Sequence, residues 1–118
     1  RDWSSDVCSS DLYFGNHYSA DDTSDEVKTF VANYQKAYNV KPDAPAALAY
    51  DSVMILAKAI KDANSLDADK VKDALAKISN LKAVTGTITY DENHDPVKSA
   101  VILTFKEGKQ SFVTKIQP

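Results

Sequence analysis

The sequence contains few of the residues that build catalytic, metal or nucleotide sites. In 118 residues there are one cysteine, two histidines and three glycines. A single cysteine cannot form an internal disulfide, and it has no nearby histidine, which excludes the usual zinc-ligand spacings. The glycines fall in no G-x-G or P-loop spacing, which excludes a phosphate-binding loop. The residues thus offer no visible equipment for catalysis, and we expect no enzyme, no cofactor and no metal.

Neither charge nor hydropathy indicates a nucleic acid or a membrane as partner. Fourteen basic and 17 acidic residues give a formal net charge of −3, which leaves no positive surface for nucleic acid. The longest apolar runs lie in SVMILAKAI and AVILTF, far short of the roughly 20 residues that cross a bilayer. We expect no direct membrane insertion. The composition, 43% hydrophobic and 26% charged, is typical of one globular domain.

The first twelve residues, RDWSSDVCSSDL, have neither helical nor strand periodicity. They include three aspartates and no apolar run, which excludes a secretory signal peptide. Residues 2–12 back-translate, with permitted codons, to a sequence that resembles a common short-read sequencing adapter read in one frame. We therefore interpret residues 1–12 as a non-native artefact that makes no contact the fold requires. On this interpretation the natural part of the sequence begins at Tyr13, and this residue is encoded in the middle of a longer gene.

Two of three predicted helices are amphipathic. The first follows ADDTSDEV, where Thr23 is predicted as the N-cap and Glu26 as its capping-box partner. Its apolar residues recur at the spacing of one helical face; they are Val27, Phe30, Val31, Tyr34 and Tyr38. The third helix begins after Asp67 in LDADKVKDALAKISN and is expected on the surface.

The second helix, in DAPAALAYDSVMILAKAI, begins near Asp43 and is apolar almost all round. Such a helix is predicted to be buried between other elements. Tyr50 and Asp51 leave two interpretations open. In one, Tyr50 packs in the core while Asp51 accepts hydrogen bonds at a sheet–helix interface. In the other, the helix N-terminus lies at a cleft, where its free N–H groups meet a carboxylate.

Beyond the helices the hydrophobic period changes from 3.6 to 2, which indicates strands. GTITY, AVILTF and SFVTKI alternate in this way, and Glu107-Gly108 indicates a hairpin turn. YFGNHYS, from Tyr13, is interpreted as the end of a strand that enters a loop. DENHDP has acidic residues at calcium-loop positions, but Pro96 stands where that loop needs glycine. A polar turn bonded to its own backbone is therefore predicted there.

Several segments together resemble one known family. They are the F-x-x-x-Y-x-x-x-Y helix, the block AYDSV, the segment DAL, the strand TGTITYD and the closing KEGK. In their order and spacing, residues 13–118 are similar to the C-terminal third of type I periplasmic binding proteins. This family includes the leucine/isoleucine/valine-binding proteins of ABC importers.

The resemblance implies the C-terminal fragment of a two-lobed α/β fold, with three helices, a short strand and a C-terminal β-hairpin. Residues 13–97 would lie mainly in the first lobe, and residues 98–118 would return to the second. The hinge residues implied are Tyr18, Ser19, Lys98 and Ser99. The candidate ligand-binding residues are Pro45, Ala46 and Tyr50. A proline cannot supply the aromatic packing that the family often has at that position, so the pocket is expected to differ in shape, unless the alignment shifts by one residue.

The function implied is that of an extracytoplasmic solute-binding protein of an ABC importer. It would capture an amino acid, of branched-chain type or a similar small polar ligand, by lobe closure and deliver it to a membrane permease. The location would be the periplasm, or the cell surface as a lipoprotein. The alternative is a ligand-sensing domain of a receptor or transcriptional regulator with the same fold.

Overall fold

The computed structural model describes residues 12–118, which form three helices and six strands. The helices are α1 (Asp25–Tyr38), α2 (Ala44–Ala63) and α3 (Ala68–Ala76). The strands are β1 (Tyr13–Asn16), β2 (Leu81–Ala83), β3 (Gly86–Tyr90), β4 (Pro96–Lys98), β5 (Ala100–Lys106) and β6 (Lys109–Ile116). The predicted α/β class is confirmed, and the short strands β2 and β4 are additions to the prediction.

The strands form two antiparallel sheets. The first sheet has the order β1-β5-β6 and the second has the order β2-β3-β4. Ser99 alone separates β4 from β5, so the chain passes from the second sheet to the first within one residue. The other passage is the connection of residues 17–24, which leads from β1 to α1. The chain therefore runs twice between the first sheet and the rest of the fold.

The interpretation of residues 1–12 as non-native lies outside the described residues except at Leu12. The Leu12 side chain is 55% exposed. Its backbone carbonyl accepts a hydrogen bond of 2.8 Å from the hydroxyl of Thr104, which is itself buried.

The N-cap residues of α2 and α3 are those predicted from the sequence, whereas the N-cap residue of α1 is a different one. Asp43 Oδ1 accepts a hydrogen bond from Ala46 N, and Asp67 Oδ1 accepts one from Lys70 N, as expected of N-caps. The prediction of Thr23 as the N-cap of α1 is wrong. Ser24 occupies that position without a side-chain cap, because Asp22 Oδ1 accepts from Ser24 N and fixes the backbone one residue later.

Both predicted turns are present. Glu107 and Gly108 have φ of 50° and 73°, the left-handed pair that a two-residue hairpin between twisted strands requires. In the loop between β3 and β4, Asp91 Oδ1 accepts hydrogen bonds from Asn93 N and Asp95 N. The prediction of a polar turn bonded to its own backbone is therefore confirmed.

A hydrophobic core cluster lies between α1, α2 and the turn that joins β2 to β3. Its buried members are Tyr18, Val27, Phe30, Ala47 and Val84. The rings of Tyr18 and Phe30 meet edge to face, with their centroids 6.1 Å apart, a favoured geometry for aromatic pairs.

In the described chain, the predicted burial of α2 is found on one side of the helix only. Among its hydrophobic residues only Ala47 and Ala59 are buried, whereas Val53 is 67% exposed, Met54 50% and Leu56 47%. The helix packs with one side, and no element among residues 12–118 covers the opposite apolar face. None of the helices in this range combines the length and hydropathy that a membrane span requires.

Asp51 joins α2 to the second sheet. It is only 3% exposed, and its two carboxylate oxygens accept hydrogen bonds from Val84 N at 2.9 Å and Thr85 N at 2.8 Å. Both donors belong to the turn between β2 and β3. The interpretation of Asp51 as an acceptor at a sheet–helix interface is therefore confirmed.

We expect Asp51→Asn to lower the free energy of unfolding by about 2–4 kcal/mol, since an amide can accept only one of the two bonds and turns its N–H₂ toward the other donor. Urea titration followed by circular dichroism measures the change. The matched control is Asp62→Asn on the same helix, whose ion pair with Lys58 is exposed and should contribute about 0.5 kcal/mol or less. Equal losses in the two variants would contradict this role of Asp51.

Candidate functional site

A cavity of about 410 Å³ lies between the end of β1, the start of α2 and strand β6. The residues around it come from three separate parts of the sequence. They are Asn16, Tyr18, Ser19, Ala20, Asp21, Lys41, Pro42, Asp43, Ala44, Pro45 and Gln110. Gln110 belongs to the first sheet and the 41–45 segment to the helical part. The cavity therefore spans the junction of the two regions that the chain connects twice.

Tyr18 is the aromatic residue in the cavity wall. Its side chain is 4% exposed, and its buried hydroxyl has no hydrogen-bond partner among the described residues. Burial, and then the nearby carboxylates of Asp21 and Asp43, raise the pKa of Tyr18 to about 12. The hydroxyl is therefore neutral at physiological pH and free to donate a hydrogen bond.

The charges around the cavity disfavour a carboxylate at the start of α2. Pro45 has no N–H, and Ala46 N already donates to Asp43 Oδ1, so two of the first donors of the helix are not free. Among the residues that line the cavity, the two carboxylates of Asp21 and Asp43 outnumber the one ammonium group, that of Lys41. The expected contact between helix N–H groups and a ligand carboxylate is thus unfavourable here, although this helix end does lie at a cavity.

The three candidate ligand-binding residues do not line one cavity. Pro45 lies in the cavity described above, whereas Ala46 and Tyr50 line a depression of about 350 Å³ between α1 and α2. The separation follows from the helix, because neighbouring positions point about 100° apart. The Tyr50 ring packs against Phe30, with centroids 5.0 Å apart, and remains 46% exposed.

Other cavity residues were not predicted from the sequence. Asn16, Asp21, Lys41 and Gln110 carry polar groups there. For the first three the only signal is their position beside a predicted element. Gln110 has no sequence signal, since it reaches the cavity through the pairing of β6 with β5, and the register runs Phe105 to Gln110.

The predicted hinge residues lie at the two chain passages. Tyr18 and Ser19 are buried in the 17–24 connection, and Ser99 is 3% exposed between β4 and β5. Lys98 ends β4, and its ammonium group donates to Thr85 Oγ1 at 3.0 Å. Burial lowers the pKa of Lys98, an effect that the charge of Asp51 partly offsets. Their role as hinge residues stays a prediction.

Among residues 12–118, no group of three or more His, Cys, Asp or Glu side chains is arranged to hold a metal ion. What the cavity does provide is a neutral phenol, two carboxylates, one ammonium group and the amides of Asn16 and Gln110. Groups of this kind are able to hold polar parts of a small molecule by hydrogen bonds and charge.

Comparison with known proteins gives one family match and many similar structures. The family model described as periplasmic binding protein matches residues 9–110. A leucine-binding protein from Thermotoga maritima is 36% identical with a TM-score of 0.79; the match covers 91% of this chain and 31% of that one. A branched-chain amino acid transporter substrate-binding protein from Streptococcus pneumoniae, solved with isoleucine, is 35% identical with a TM-score of 0.80, covering 92% and 31%.

A third similar structure carries a different ligand. It is a solute-binding protein of an ABC transporter from Rhodopseudomonas palustris, solved with 3,4-dihydroxybenzoic acid. It is 25% identical with a TM-score of 0.76, and the match covers 90% of this chain and 31% of that one. The present chain thus spans about a third of the length of each of these proteins.

We expect one tyrosine, Tyr18, to ionise at a pH of about 12. Its pKa in the folded chain lies above the ordinary value of 10.0, so its contribution to stability is complete below pH 10 and is lost as the pH rises from 10 to 12. Ultraviolet titration of tyrosinate, with circular dichroism to check the fold, should show a late component that Tyr18→Phe removes. Tyr38→Phe, at a tyrosine that is 66% exposed, should leave that component in place.

Proposed function

The chain belongs to the periplasmic binding protein family, and from this premise we propose that it acts in an extracytoplasmic solute-binding protein of an ABC importer whose ligand is an amino acid. The protein binds its ligand and performs no catalysis on it. Its partners are the small-molecule ligand and a membrane permease, and its location is the periplasm or, as a lipoprotein, the outer face of the membrane.

The observation that carries the choice of ligand is the set of charges around the cavity. Relatives of this fold were solved with isoleucine and with an aromatic acid, so membership of the family leaves the ligand open. The carboxylates of Asp21 and Asp43 suit an ammonium group, whereas the capped start of α2 offers little to a carboxylate. These features favour a ligand with an amine, and the two relatives at 36% and 35% identity favour a branched-chain amino acid.

The proposed mechanism is closure of two lobes over the ligand. We assign residues 13–97 mainly to one lobe and residues 98–118 to the strands that return to the other. The proposed hinge residues are Tyr18, Ser19, Lys98 and Ser99. A ligand that contacts both walls of the cavity binds the closed form better than the open one, and this difference shifts the population toward closure. The closed form is then the one that the permease recognises.

Of the candidate ligand contacts, Pro45 fits this mechanism by its position at the cavity. Ala46 and Tyr50 face the depression between α1 and α2, so we propose that they support the packing of α1 on α2. Ligand contacts in their place would come from Asp21 and Gln110, which stand on opposite walls.

Protein-observed NMR tests the ligand class with three probes of one shape. They are L-isoleucine, 2-methylbutylamine, which lacks the carboxylate, and 3-methylpentanoate, which lacks the amine. Because the chain spans about a third of its relatives' length, we expect weak binding, with a Kd of about 1 mM or above. L-isoleucine and the amine should shift the amide signals of Asn16, Ser19 and Gln110, and the carboxylate should need a higher concentration.

In the same titration, Asp21→Asn should weaken binding of the amine probe several-fold, because it removes an opposite charge. Asp62→Asn, far along α2, is the matched control and should leave binding unchanged. Equal binding of the amine and the carboxylate, or shifts confined to residues outside the cavity, would contradict the proposed ligand class.

The genomic neighbourhood separates transport from the alternative of a sensor domain. We expect genes for a membrane permease and an ATPase beside the gene for this chain. A DNA-binding or membrane-signalling segment encoded in the same gene would instead support a ligand-sensing role.

A further inference from the structure

Lys115 reaches from the first sheet to the connection between β1 and α1. It lies in β6, where it pairs with Val101 of β5. Its ammonium group forms an ion pair with Asp22 Oδ2 at 3.0 Å, and the side chains of Lys115 and Asp22 are only 23% and 10% exposed. Other side-chain ion pairs among the described residues, such as those of Lys58 and Lys72, are much more exposed. An ion pair shielded in this way is screened less by salt than a surface pair.

Asp22 uses both of its carboxylate oxygens. Oδ2 binds Lys115, and Oδ1 accepts a hydrogen bond of 2.9 Å from Ser24 N, the N-cap residue of α1. Burial of this carboxyl raises its pKa, but the hydrogen bonds from Ser24 and Lys115 outweigh that effect and the net pKa is lowered. One carboxylate thus links strand β6 to the start of α1.

The stem of Lys115 also passes over the second sheet. A Cβ added at Gly86, the first residue of β3, would lie 3.8 Å from Lys115 Cε and would collide with Ser99 Oγ. Gly86 has a φ of +123°, which disfavours other residues there. Ser99, between the two sheets, and Lys115, in the first sheet, therefore both lie close to this glycine. The two sheets are therefore in close contact at Gly86, where there is no space for a larger side chain.

The ion pair stands directly behind the walls of the cavity. Tyr18, Ser19 and Asp21 line it from the connection that Asp22 anchors, and Gln110 lines it from the strand that carries Lys115. Within residues 12–118, the Lys115–Asp22 pair is a polar side-chain contact that joins these walls.

We propose that Lys115 is a positioning residue of the binding cavity: through Asp22 it holds the 17–24 connection against β6 and so sets the distance between the two walls. The consequence for ligand binding rests on the function proposed above, whereas the consequence for the distance does not. Lys115 itself is absent from the residues around the cavity, so it acts through the wall and not by touching a ligand.

The distance is tested without any ligand. Spin labels are placed at Lys61→Cys in α2 and Lys109→Cys in β6, both at exposed positions, with Cys8→Ser to remove the native thiol. Electron paramagnetic resonance then gives the distribution of distances between the two labels, one on the helical part and one on the first sheet. Lys115→Met, which keeps the stem and removes the charge, should broaden this distribution, and Lys115→Arg should restore it.

Asp22→Asn should broaden the distribution as Lys115→Met does, since it breaks the same pair from the other side. Lys58→Met, which removes the exposed pair with Asp62, should leave the distribution narrow. Circular dichroism shows whether each variant keeps its helices. If Lys115→Met retains native helix content and its distance distribution is unchanged, the proposal is overturned. If Lys115→Met loses its helices, the distance distributions of Lys115→Arg and Asp22→Asn are compared with that of the unsubstituted chain instead. A narrow distribution in Asp22→Asn would then overturn the proposal.

L-isoleucine titration by NMR separates this proposal from the proposed function. We expect Lys115→Met to weaken binding about tenfold, within the range typical of couplings through a conformational change, and Lys115→Arg to recover it. Unchanged affinity in a variant with a broadened distribution would overturn the positioning role. Absence of binding in the unsubstituted chain would contradict the proposed function, and the distance measurement would still support or overturn the ion pair's role in holding the walls.

Discussion

The buried carboxylate of Asp51 is the contact on which the arrangement of α2 and the second sheet depends. A charged group at this depth is tolerated only when its hydrogen bonds are satisfied, and the two backbone donors of Val84 and Thr85 satisfy it. These donors lie in the turn between β2 and β3, so the position of that turn is fixed to one point on the helix. Val84, held there, completes the core around Phe30, and Thr85 carries the hydroxyl that receives Lys98.

The same arrangement leaves α2 with two unlike faces. One face contacts the core through Ala47, where a small side chain lets the elements approach closely, and the opposite face presents Val53 and Leu56 to the outside. Exposed apolar side chains grouped on one helix are unusual on the surface of a complete globular unit. The stability of the described chain therefore comes from a limited core and from polar contacts such as those of Asp51. Several apolar side chains of α2 stay exposed and contribute little to it.

The cavity and the junction of the two sheets are parts of one region. The first half of the 17–24 connection contains cavity residues, and its second half contains Asp22, which binds Lys115. Strand β6 contains both the cavity residue Gln110 and Lys115. A change in the angle between the first sheet and the helical part must therefore alter both the cavity and the ion pair. Under the proposed lobe closure, this proximity would couple ligand capture to a small set of side chains at the two chain passages.

The helices, the C-terminal hairpin and the polar turn at Asp91 were predictable from the amino-acid sequence, because capping residues, hydrophobic period and turn residues act over a few neighbouring positions. The family was predictable as well, through the order of several short segments. Three features became visible only in the folded chain. Ser24 and not Thr23 caps α1, Ala46 and Tyr50 face away from the cavity that Pro45 lines, and Gln110 and Lys115 lie beside residues 18–22. These outcomes depend on strand register and on contacts between residues some 90 positions apart. Local patterns carry no information on such pairings, since their free energy comes from burial and charge partners that exist only after the chain has folded.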